Sequence, residues 1–539
     1  MLSIGRLSLG QEAYYLEEVL DGAEDYYLHV GEVPGRWLGQ GADRLGLHGR
    51  VGTDDLRAVL SGLRPGTDEP LRETKTSRPG MDLTLSAPKS ISLVWGLGDE
   101  ATAEAVVACH DRAVDQAIEY LERHACAVRR GHWGAEVREA DGFVGAAFRH
   151  RTSRAGDPAL HTHVLIANMA EGPDGRWTAL DSRELYRHGR TAGFVYQAVL
   201  RYELARSTGL LFEEVAQGHA DLAGVPPALR REFSHRRQEI VAAMERHGAA
   251  SAKGAQAAAL DTRTTKGEHV SELELRERWA ARAEPFGFEV SELPTLVRTP
   301  VLDVDQDELA KLLTEQHATF VRRDVVRALA QAATQGASLD ELERGADAMV
   351  TSPHAVAVAE GRWTTPEMLA LERRTVELAA ATATPAGVAN SAAAERALDA
   401  RPSLGADQRD VVRAVTGSGC PLDIVIGPAG TGKTFSLDAA GRLTERHLGG
   451  EARGAAGDLG LPERPLSHRG VTVPFDVRPR NVDLPRLPDG LRVRHIDLAG
   501  PCEDGRQCVE LAQQAAGDTV PELALPHLFQ GREQRSRGT

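Results

Sequence analysis

The chain of 539 residues has few cysteines and lacks long apolar runs. Its five cysteines are scattered and form no CxxC pair, so the sequence predicts neither a disulfide framework nor a cysteine-based zinc site. No uninterrupted apolar segment approaches the roughly 18 residues of a membrane-spanning helix, and the first residues lack the apolar core of a signal peptide. We therefore expect a cytoplasmic protein without membrane insertion.

Lysine is also scarce, since only six of the 63 basic residues are lysine and the others are arginine. The formal net charge of −15 predicts that the molecule as a whole repels polyanions, so any contact with nucleic acid must be local. The planar guanidinium of arginine is suited to binding phosphate groups, so the excess of arginine over lysine is one expected feature of a nucleic-acid-binding protein. A GC-rich genome produces the same excess and is the favoured explanation. With 42% hydrophobic and 26% charged residues, the composition is typical of a globular protein, and the length suggests three or four domains.

Sequence patterns divide the chain into four segments. In the first, short strand-like runs alternate with helical ones between glycine-rich turns. The second is helical in pattern almost throughout, with a helix-start signal at Thr365-Pro366-Glu367. The third is typical of a strand, a glycine loop and a helix, and the fourth is a loosely structured tail rich in proline and glycine. The predicted domains are residues 1–299, 300–400, 401–449 and 450–539.

The first segment contains the elements that would position a site. Met81–Leu85, Phe143–Phe148 and His161–Met169 are predicted to be strands. Ala101–His124 has apolar residues at helical spacing and predicts a long amphipathic helix. The polar segment Arg151–Pro158 is predicted to be a loop between two of the strands.

Three histidines form the first candidate site. His161 and His163 are two residues apart on a predicted strand, so their side chains project from the same face. A third ligand at His150, on the preceding strand, would complete a three-histidine metal site with open positions for substrate. The spacing alone is weak evidence, because a chain with 19 histidines contains about one such pair by chance. Surface or structural histidines therefore remain the alternative.

Two tyrosine pairs near the N-terminus, Tyr14-Tyr15 and Tyr26-Tyr27, contain four of the eight tyrosines. Most tyrosines pack helices against sheets, which is one interpretation of both pairs. The other is a phenolic nucleophile that attacks phosphorus when a cation or a base is near. Asp82, on the predicted strand Met81–Leu85, could take the phenolic proton of the attacking tyrosine. It could instead accept a hydrogen bond from the free ring N–H of a metal-bound histidine. An aspartate on a strand is also commonly a solvent-facing residue.

At this point five segments in the same order resemble the N-terminal domain of MobF-type conjugative relaxases. These are the TrwC/TraI-like members of the HUH endonuclease superfamily. The segments are Glu24–Tyr27 (EDYY), Arg36–Leu47 (RWLGQGADRLGL), Met81–Ser90 (MDLTLSAPKS), His110–Val114 (HDRAV) and Phe148–Met169 (FRHRTSRAGDPALHTHVLIANM). The resemblance is strong over residues 1–290 and moderate over residues 301–440.

The resemblance implies an enzyme that nicks one DNA strand at a specific site. A tyrosine attacks the scissile phosphate, becomes joined to the 5′ end and frees a 3′ hydroxyl, and a later transesterification recloses the strand without ATP. The implied fold is α+β: an HUH-type antiparallel sheet flanked by helices, then a helical domain and a partial RecA-like P-loop unit. The implied partners are single-stranded DNA at an origin of transfer, the coupling protein of a type IV secretion system and relaxosome accessory proteins.

The same resemblance assigns roles to the candidate residues. The implied metal ligands are His150, His161 and His163, for Mg²⁺ or Mn²⁺ with Zn²⁺ as a third candidate. The implied catalytic side chains are Tyr14, Tyr15, Tyr26, Tyr27 and Asp82. Among them Tyr14 is the first nucleophile, a tyrosine of the second pair performs a second transfer, and Asp82 orients a histidine or serves as base.

Seven arginines are candidates for a single-stranded DNA groove. Three flank the histidine His150 and four form a cluster on a predicted helix. Such runs are usually solvated faces, but phosphate contact becomes the better interpretation beside a site of phosphoryl transfer. The candidates are Arg149, Arg151, Arg154, Arg230, Arg231, Arg236 and Arg237.

A phosphate-binding motif, GPAGTGKT at Gly427–Thr434, follows the apolar run Leu422–Ile426. It matches G-x-x-x-x-G-K-[ST], in which backbone amides cradle phosphates, the lysine reaches the β- and γ-phosphates and the hydroxyl binds magnesium. Upstream, Leu404–Val415 is similar to the glutamine motif of superfamily 1 helicases, whose glutamine would read adenine. The predicted nucleotide-binding residues are Gln408, Gly427, Gly430, Gly432, Lys433 and Thr434.

A working motor also needs a Walker B acid pair and a second RecA-like domain with an arginine finger. Only 105 residues follow Thr434, and the candidate strands Val471–Asp476 and Val493–Asp497 are interrupted. We therefore expect a truncated or frame-shifted relaxase-helicase in which ATP binding is conceivable and translocation is not expected. The alternatives are a rolling-circle replication initiator, an ATP-dependent DNA helicase fragment and an inactive DNA-binding remnant.

Overall fold

The computed structural model describes residues 2–7, 35–72, 78–246, 272–381, 391–417, 435–437 and 440. The chain divides into two compact units, residues 1–355 and residues 356–539. The predicted domain boundary at residue 299 falls inside the first unit. Among the described residues, no helix combines the length and the apolar character that crossing a membrane requires.

The described part of the first unit mixes strands and helices along the chain. Its strands are β1 (Leu2–Arg6), β2 (Arg36–Leu38), β3 (Gly80–Ser86), β4 (Ala127–Arg130), β5 (Glu136–Glu139), β6 (Gly145–Thr152), β7 (Pro158–Ala167), β8 (Ala170–Glu171) and β9 (Trp177–Thr178). Its helices are α1 (Gln40–Arg44), α2 (Thr53–Ser61), α3 (Lys89–Leu97), α4 (Glu100–Ala125), α5 (Ser182–Thr208), α6 (Pro227–Glu232), α7 (His235–Arg246), α8 (Glu272–Ala283), α9 (Gln306–Thr314), α10 (Arg322–Ala332) and α11 (Leu339–Val350).

Five strands form an antiparallel sheet in the order β1-β3-β7-β6-β2. In β7, the longest of them, residues alternate between partly exposed and buried from Pro158 to His163 and then become continuously buried. β3 pairs with it from Gly80 to Ser86, and β6 pairs with its other edge. With helices packed against the sheet, this architecture confirms the predicted α+β fold with a helix-flanked antiparallel sheet.

One face of the sheet is covered by α3, α4 and α5. α4 begins where the Asp99 carboxylate accepts a hydrogen bond of 2.8 Å from the backbone N–H of Thr102, which satisfies one of the free donors of its first turn. α5 begins in the same way at Asp181, whose carboxylate accepts from the N–H of Arg183. The amphipathic helix predicted at Ala101–His124 is therefore confirmed as α4.

The opposite face changes character along the strands. Ala146 of β6 lies opposite Leu165 of β7, and both belong to a buried apolar cluster that includes residues of α1 and α2. One step further along the strands, Phe148 lies opposite His163, and His150 lies opposite His161. The buried apolar cluster therefore ends where the histidines begin, and this end of the sheet face presents polar side chains.

The helices that follow residue 300 pack on α5 within the first unit. The buried guanidinium of Arg201 donates to the carbonyls of Ala330 at 2.8 Å and Ala333 at 3.1 Å, at the C-terminal end of α10. Gly336 has a φ of 86°, and a Cβ there would lie 2.2 Å from the carbonyl oxygen of Ala198. Only glycine allows this approach, so α10 and α11 are held close to α5.

The second unit is described in part, as β10 (Val356–Ala359), β11 (Arg362–Thr364), α12 (Pro366–Ala381), α13 (Ser391–Asp399) and α14 (Ala406–Gly417). The two strands form a hairpin within the segment that was expected to be helical. The predicted helix start is confirmed, because the Thr365 hydroxyl accepts a hydrogen bond of 3.2 Å from the N–H of Met368. The predicted P-loop, residues 427–434, lies outside the described residues.

Candidate metal centre

The structure brings the three candidate histidines together on one face of the sheet. His161 and His163 alternate with Thr162 on β7, and His150 lies opposite His161 on β6. The ring centroids are 5.3 Å apart for His150 and His161, 5.0 Å for His150 and His163, and 5.3 Å for His161 and His163. One ring nitrogen from each can be chosen so that all three lie within 4.8 Å of one another. Among the described residues this is the one cluster of histidine, cysteine or acidic groups with such spacing.

Hydrogen bonds orient two of the three rings. The Nδ1 atom of His161 lies 2.7 Å from the carbonyl oxygen of Ala159, so this nitrogen carries the proton and donates it. The Nδ1 atom of His163 lies 2.9 Å from each carboxylate oxygen of Asp82 on β3. In both rings Nε2 is then left with a lone pair, which is the tautomer that a metal ligand requires.

The electrostatics of the site favour a neutral imidazole at His161. Burial, together with the neighbouring His163, lowers the pKa of His161 to about 4. A ring with this pKa is uncharged at physiological pH, because protonation would place a positive charge in a poorly solvated site. The His161 Nε2 lone pair is therefore available to a cation without prior loss of a proton.

The donor set fits a divalent metal ion. Three imidazoles from two adjacent strands can occupy three coordination positions of such an ion and leave further positions for water or substrate. Nearby, Asp82 is buried and engages His163 through both oxygens. Of the two roles that the sequence suggested for Asp82, to orient a histidine or to serve as a base, this arrangement favours the first.

The predicted DNA-binding arginines lie in several places. Arg149 faces the helices, where it forms an ion pair with Asp111 of α4, and not the histidine face. Arg151 at the end of β6 and Arg154 in the turn after it are half-buried. Arg230 of α6 pairs with Asp221 and Glu213, and Arg236 of α7 pairs with Glu239. Arg231 and Arg237 are exposed.

Other predicted site residues lie outside the described residues. These are Tyr14, Tyr15, Tyr26, Tyr27, Gly427, Gly430, Gly432, Lys433 and Thr434. Gln408 is described, and its side-chain oxygen accepts a hydrogen bond of 3.1 Å from the N–H of Gly405 at the start of α14. A role of Gln408 in reading adenine stays a prediction.

Sequence reasoning did not select Thr84, whose hydroxyl lies 3.3 Å from the Nδ1 atom of His163. Thr84 is two residues after Asp82 on β3, so the period of two along a strand could have placed both on the histidine face. It also passed over His110 and Thr162, which contact each other beneath the histidines. The only sequence signal for His110 was its position in the HDRAV segment.

Comparison with known proteins assigns the chain to a family. Residues 9–286, more than half of the chain, match the family model described as TrwC relaxase. The chain belongs to the TrwC relaxase family. Residues 403–460 match the family model of an AAA domain, which agrees with the predicted P-loop unit.

The individual relatives each match about half of the chain. Two proteins described as multifunctional conjugation protein TraI, from Escherichia coli and from its strain K12, are 35% and 33% identical over 280 and 305 residues. The matches cover 50% and 54% of this chain but only 15% and 16% of those proteins. Solved structures of the conjugative relaxase TrwC in complex with oriT DNA, in copper-bound and metal-bound forms, are 35% and 34% identical, with TM-scores of 0.47 and 0.48. Each covers 54% of this chain and 100% of the solved chain.

Proposed function

We propose that the chain is a metal-dependent relaxase that nicks one DNA strand at a specific site and rejoins it through a covalent 5′-phosphotyrosine intermediate. The observation that carries the proposal is the convergence of His150, His161 and His163 on one sheet face, with Asp82 behind His163. Membership of the TrwC relaxase family and the similarity to TraI conjugation proteins support conjugative transfer as the process that this reaction initiates.

The chemistry follows from what each group can do. The three imidazoles would hold a divalent cation, which would supply a Lewis acid that withdraws charge from a phosphate oxygen. The phenolic oxygen of Tyr14 attacks phosphorus and gives up its proton, and the bond from phosphorus to the 3′ oxygen breaks. That oxygen takes up one proton and leaves as a hydroxyl, so the proton lost by the phenol balances the proton gained. Asp82 keeps the proton of His163 on Nδ1, so the Nε2 atom of His163 keeps the lone pair that a cation would need. One phosphoester bond replaces another, so no ATP is consumed.

The donor set bears on which ion binds best. Imidazole nitrogens suit zinc and later transition metals, whereas Mg²⁺ prefers a shell of oxygen ligands. The three ring nitrogens therefore favour Zn²⁺ over Mn²⁺ and Mn²⁺ over Mg²⁺ in affinity. We propose that the site binds a transition metal more tightly than magnesium.

The remaining parts of the proposal concern partners. The substrate is single-stranded DNA at an origin of transfer in the cytoplasm. The side chains that contact its phosphate groups include Arg151, Arg154, Arg231 and Arg237. A coupling protein and relaxosome accessory proteins would receive the covalent complex. The P-loop segment supports ATP binding in the second unit, separate from the nicking reaction.

The experiment uses the full chain, tiled single-stranded oligonucleotides from the DNA that flanks its gene, and Mn²⁺ without ATP. The expected result on a denaturing gel is a slower covalent protein–DNA band that EDTA abolishes and mass spectrometry maps to a tyrosine. The matched variant His161→Ala is expected to reduce the band about 100-fold or more, because a Lewis acid contributes several kcal/mol. Folded, metal-loaded protein that forms no adduct with any oligonucleotide would contradict the proposal and favour an inactive DNA-binding remnant.

A further inference from the structure

Two successive residues of α4 contact the two strands that carry the histidines. On the helix side of the sheet, the Nε2 atom of His110 lies 2.7 Å from the hydroxyl of Thr162 in β7. Asp111, the next residue of α4, forms an ion pair with Arg149 in β6. Each of these contacts lies directly beneath the candidate metal centre.

The position of the contacted residues along the strands is what matters. Thr162 lies between His161 and His163, and Arg149 precedes His150. Arg149 and Thr162 are themselves opposite each other in the pairing of β6 with β7. Neighbouring side chains of a strand point to opposite faces of the sheet. A contact that fixes one residue on the helix side therefore also fixes the positions of its two neighbours on the histidine side.

The contact of His110 is part of a fully buried chain of three polar groups. The Nδ1 atom of His110 lies 2.8 Å from the hydroxyl oxygen of Tyr196 in α5, and its Nε2 atom bonds Thr162. Tyr196 and His110 have no exposed surface, and Thr162 is 2% exposed. Burial lowers the pKa of His110 well below its usual value, so the ring is neutral, with one N–H to donate and one lone pair to accept.

We propose that His110 is a positioning residue of the metal centre: through Thr162 it fixes the placement of His161 and His163 on β7. The inference rests on the proposed function, since it takes the three histidines as metal ligands. Asp111 supports the neighbouring strand in the same way, through Arg149. A buried polar chain whose members are all hydrogen-bonded holds a unique geometry, which an apolar contact of the same volume does not do.

The test compares variants of the full chain in their affinity for Co²⁺ alone, measured by calorimetry, and in the visible absorption of the bound ion. Thr162→Val keeps the shape of the side chain and removes the hydroxyl that bonds His110, and His110→Leu removes both hydrogen bonds. Both variants are expected to weaken Co²⁺ binding about tenfold or more and to change the absorption spectrum, as loss of groups that orient ligands does. His110→Gln, which retains donor and acceptor atoms, is expected to restore part of the affinity.

Tyr120→Phe is the matched control. The Tyr120 hydroxyl lies 2.9 Å from the Nδ1 atom of His188, so it also bonds α4 to α5 in the buried layer, away from the ligand strands. Its loss is expected to lower the thermal midpoint and leave Co²⁺ affinity unchanged. If Thr162→Val and His110→Leu also lose only thermal stability, His110 is merely structural and the inference is wrong. Undiminished Co²⁺ binding in His161→Ala would instead contradict the proposed metal centre itself.

Discussion

The Nδ1 atom of His163 lies 2.9 Å from both carboxylate oxygens of Asp82, on neighbouring strands of the central sheet. The contact assigns the proton to Nδ1 and leaves the lone pair on Nε2. Asp82 is buried, so its carboxylate is shielded from competing water, whereas the His163 side chain is 22% exposed. A carboxylate behind a ligand histidine also raises the basicity of the ring, and both effects strengthen metal binding.

Removal of this carboxylate should weaken metal binding and leave the fold intact. Asp82→Ala is expected to lower Zn²⁺ affinity by about 10–100-fold, and Asp82→Asn by less, because the amide oxygen still accepts the Nδ1 proton. Calorimetric titration of the full chain measures both. Asp54→Ala, at a side chain that is 98% exposed, is the control and should bind as wild type. Equal affinities for Asp82→Ala and wild type would exclude the orienting role.

The donor set predicts an order of metal affinity. Zn²⁺ should bind more tightly than Mn²⁺, and Mn²⁺ more tightly than Mg²⁺, because the three ligands are imidazole nitrogens. Competition titrations against a chelator of known affinity give the order. Tightest binding of Mg²⁺ would indicate a site dominated by oxygen ligands, which the three histidines do not provide.

The choice of nucleophile can be tested tyrosine by tyrosine. Tyr14→Phe should abolish the first covalent adduct or move it to another tyrosine, since the phenylalanine lacks the attacking oxygen. The control is Tyr186→Phe, which alters a half-exposed tyrosine on α5 that contacts Arg6. Peptide mapping of the adduct from each variant is the measurement. An adduct formed at the wild-type rate and at the wild-type residue in Tyr14→Phe means that Tyr14 is not the nucleophile.

The packing of α10 on α5 makes a prediction about stability. Arg201→Ala should reduce the free energy of unfolding by about 2–4 kcal/mol, because it leaves the buried carbonyls of Ala330 and Ala333 without their donor and opens a cavity. Arg187→Ala, in the exposed pair with Glu184 on the same helix, should change it by less than about 1 kcal/mol. Denaturant titration of both variants gives the comparison. Equal losses would show that Arg201 does not hold α10.

The sequence predicted local features of the fold better than long-range ones. The period of two in His161 and His163 placed both on one face correctly, and the helix-start signal at Thr365 located α12. The same alternation along β6 places Arg149 and His150 on opposite faces of the sheet. The position of Arg149 on the helix face was therefore predictable, although the sequence predicted a DNA-binding role for it. The sequence predicted no element at Lys89–Leu97, which forms helix α3 and packs against α4 and the sheet.

Contacts between residues distant in sequence were beyond prediction. His110 meets Thr162 across 52 residues and Tyr196 across 86 residues, and no local pattern encodes either pairing. The pairing of Asp82 with His163, across 81 residues, depends on the register of β3 with β7. The resemblance to relaxases supplied the roles of Asp82 and His163, whereas the geometry that supports those roles required the folded chain.

We propose that the three-histidine centre drives cleavage of DNA. The most direct measurement follows Mn²⁺ occupancy and the rate of covalent adduct formation in the same samples of wild type, His161→Ala and Asp54→Ala. We predict that both quantities fall together in His161→Ala and remain at wild-type values in Asp54→Ala. Adduct formation at the wild-type rate in His161→Ala, with the metal lost, would show that the three-histidine centre does not drive cleavage.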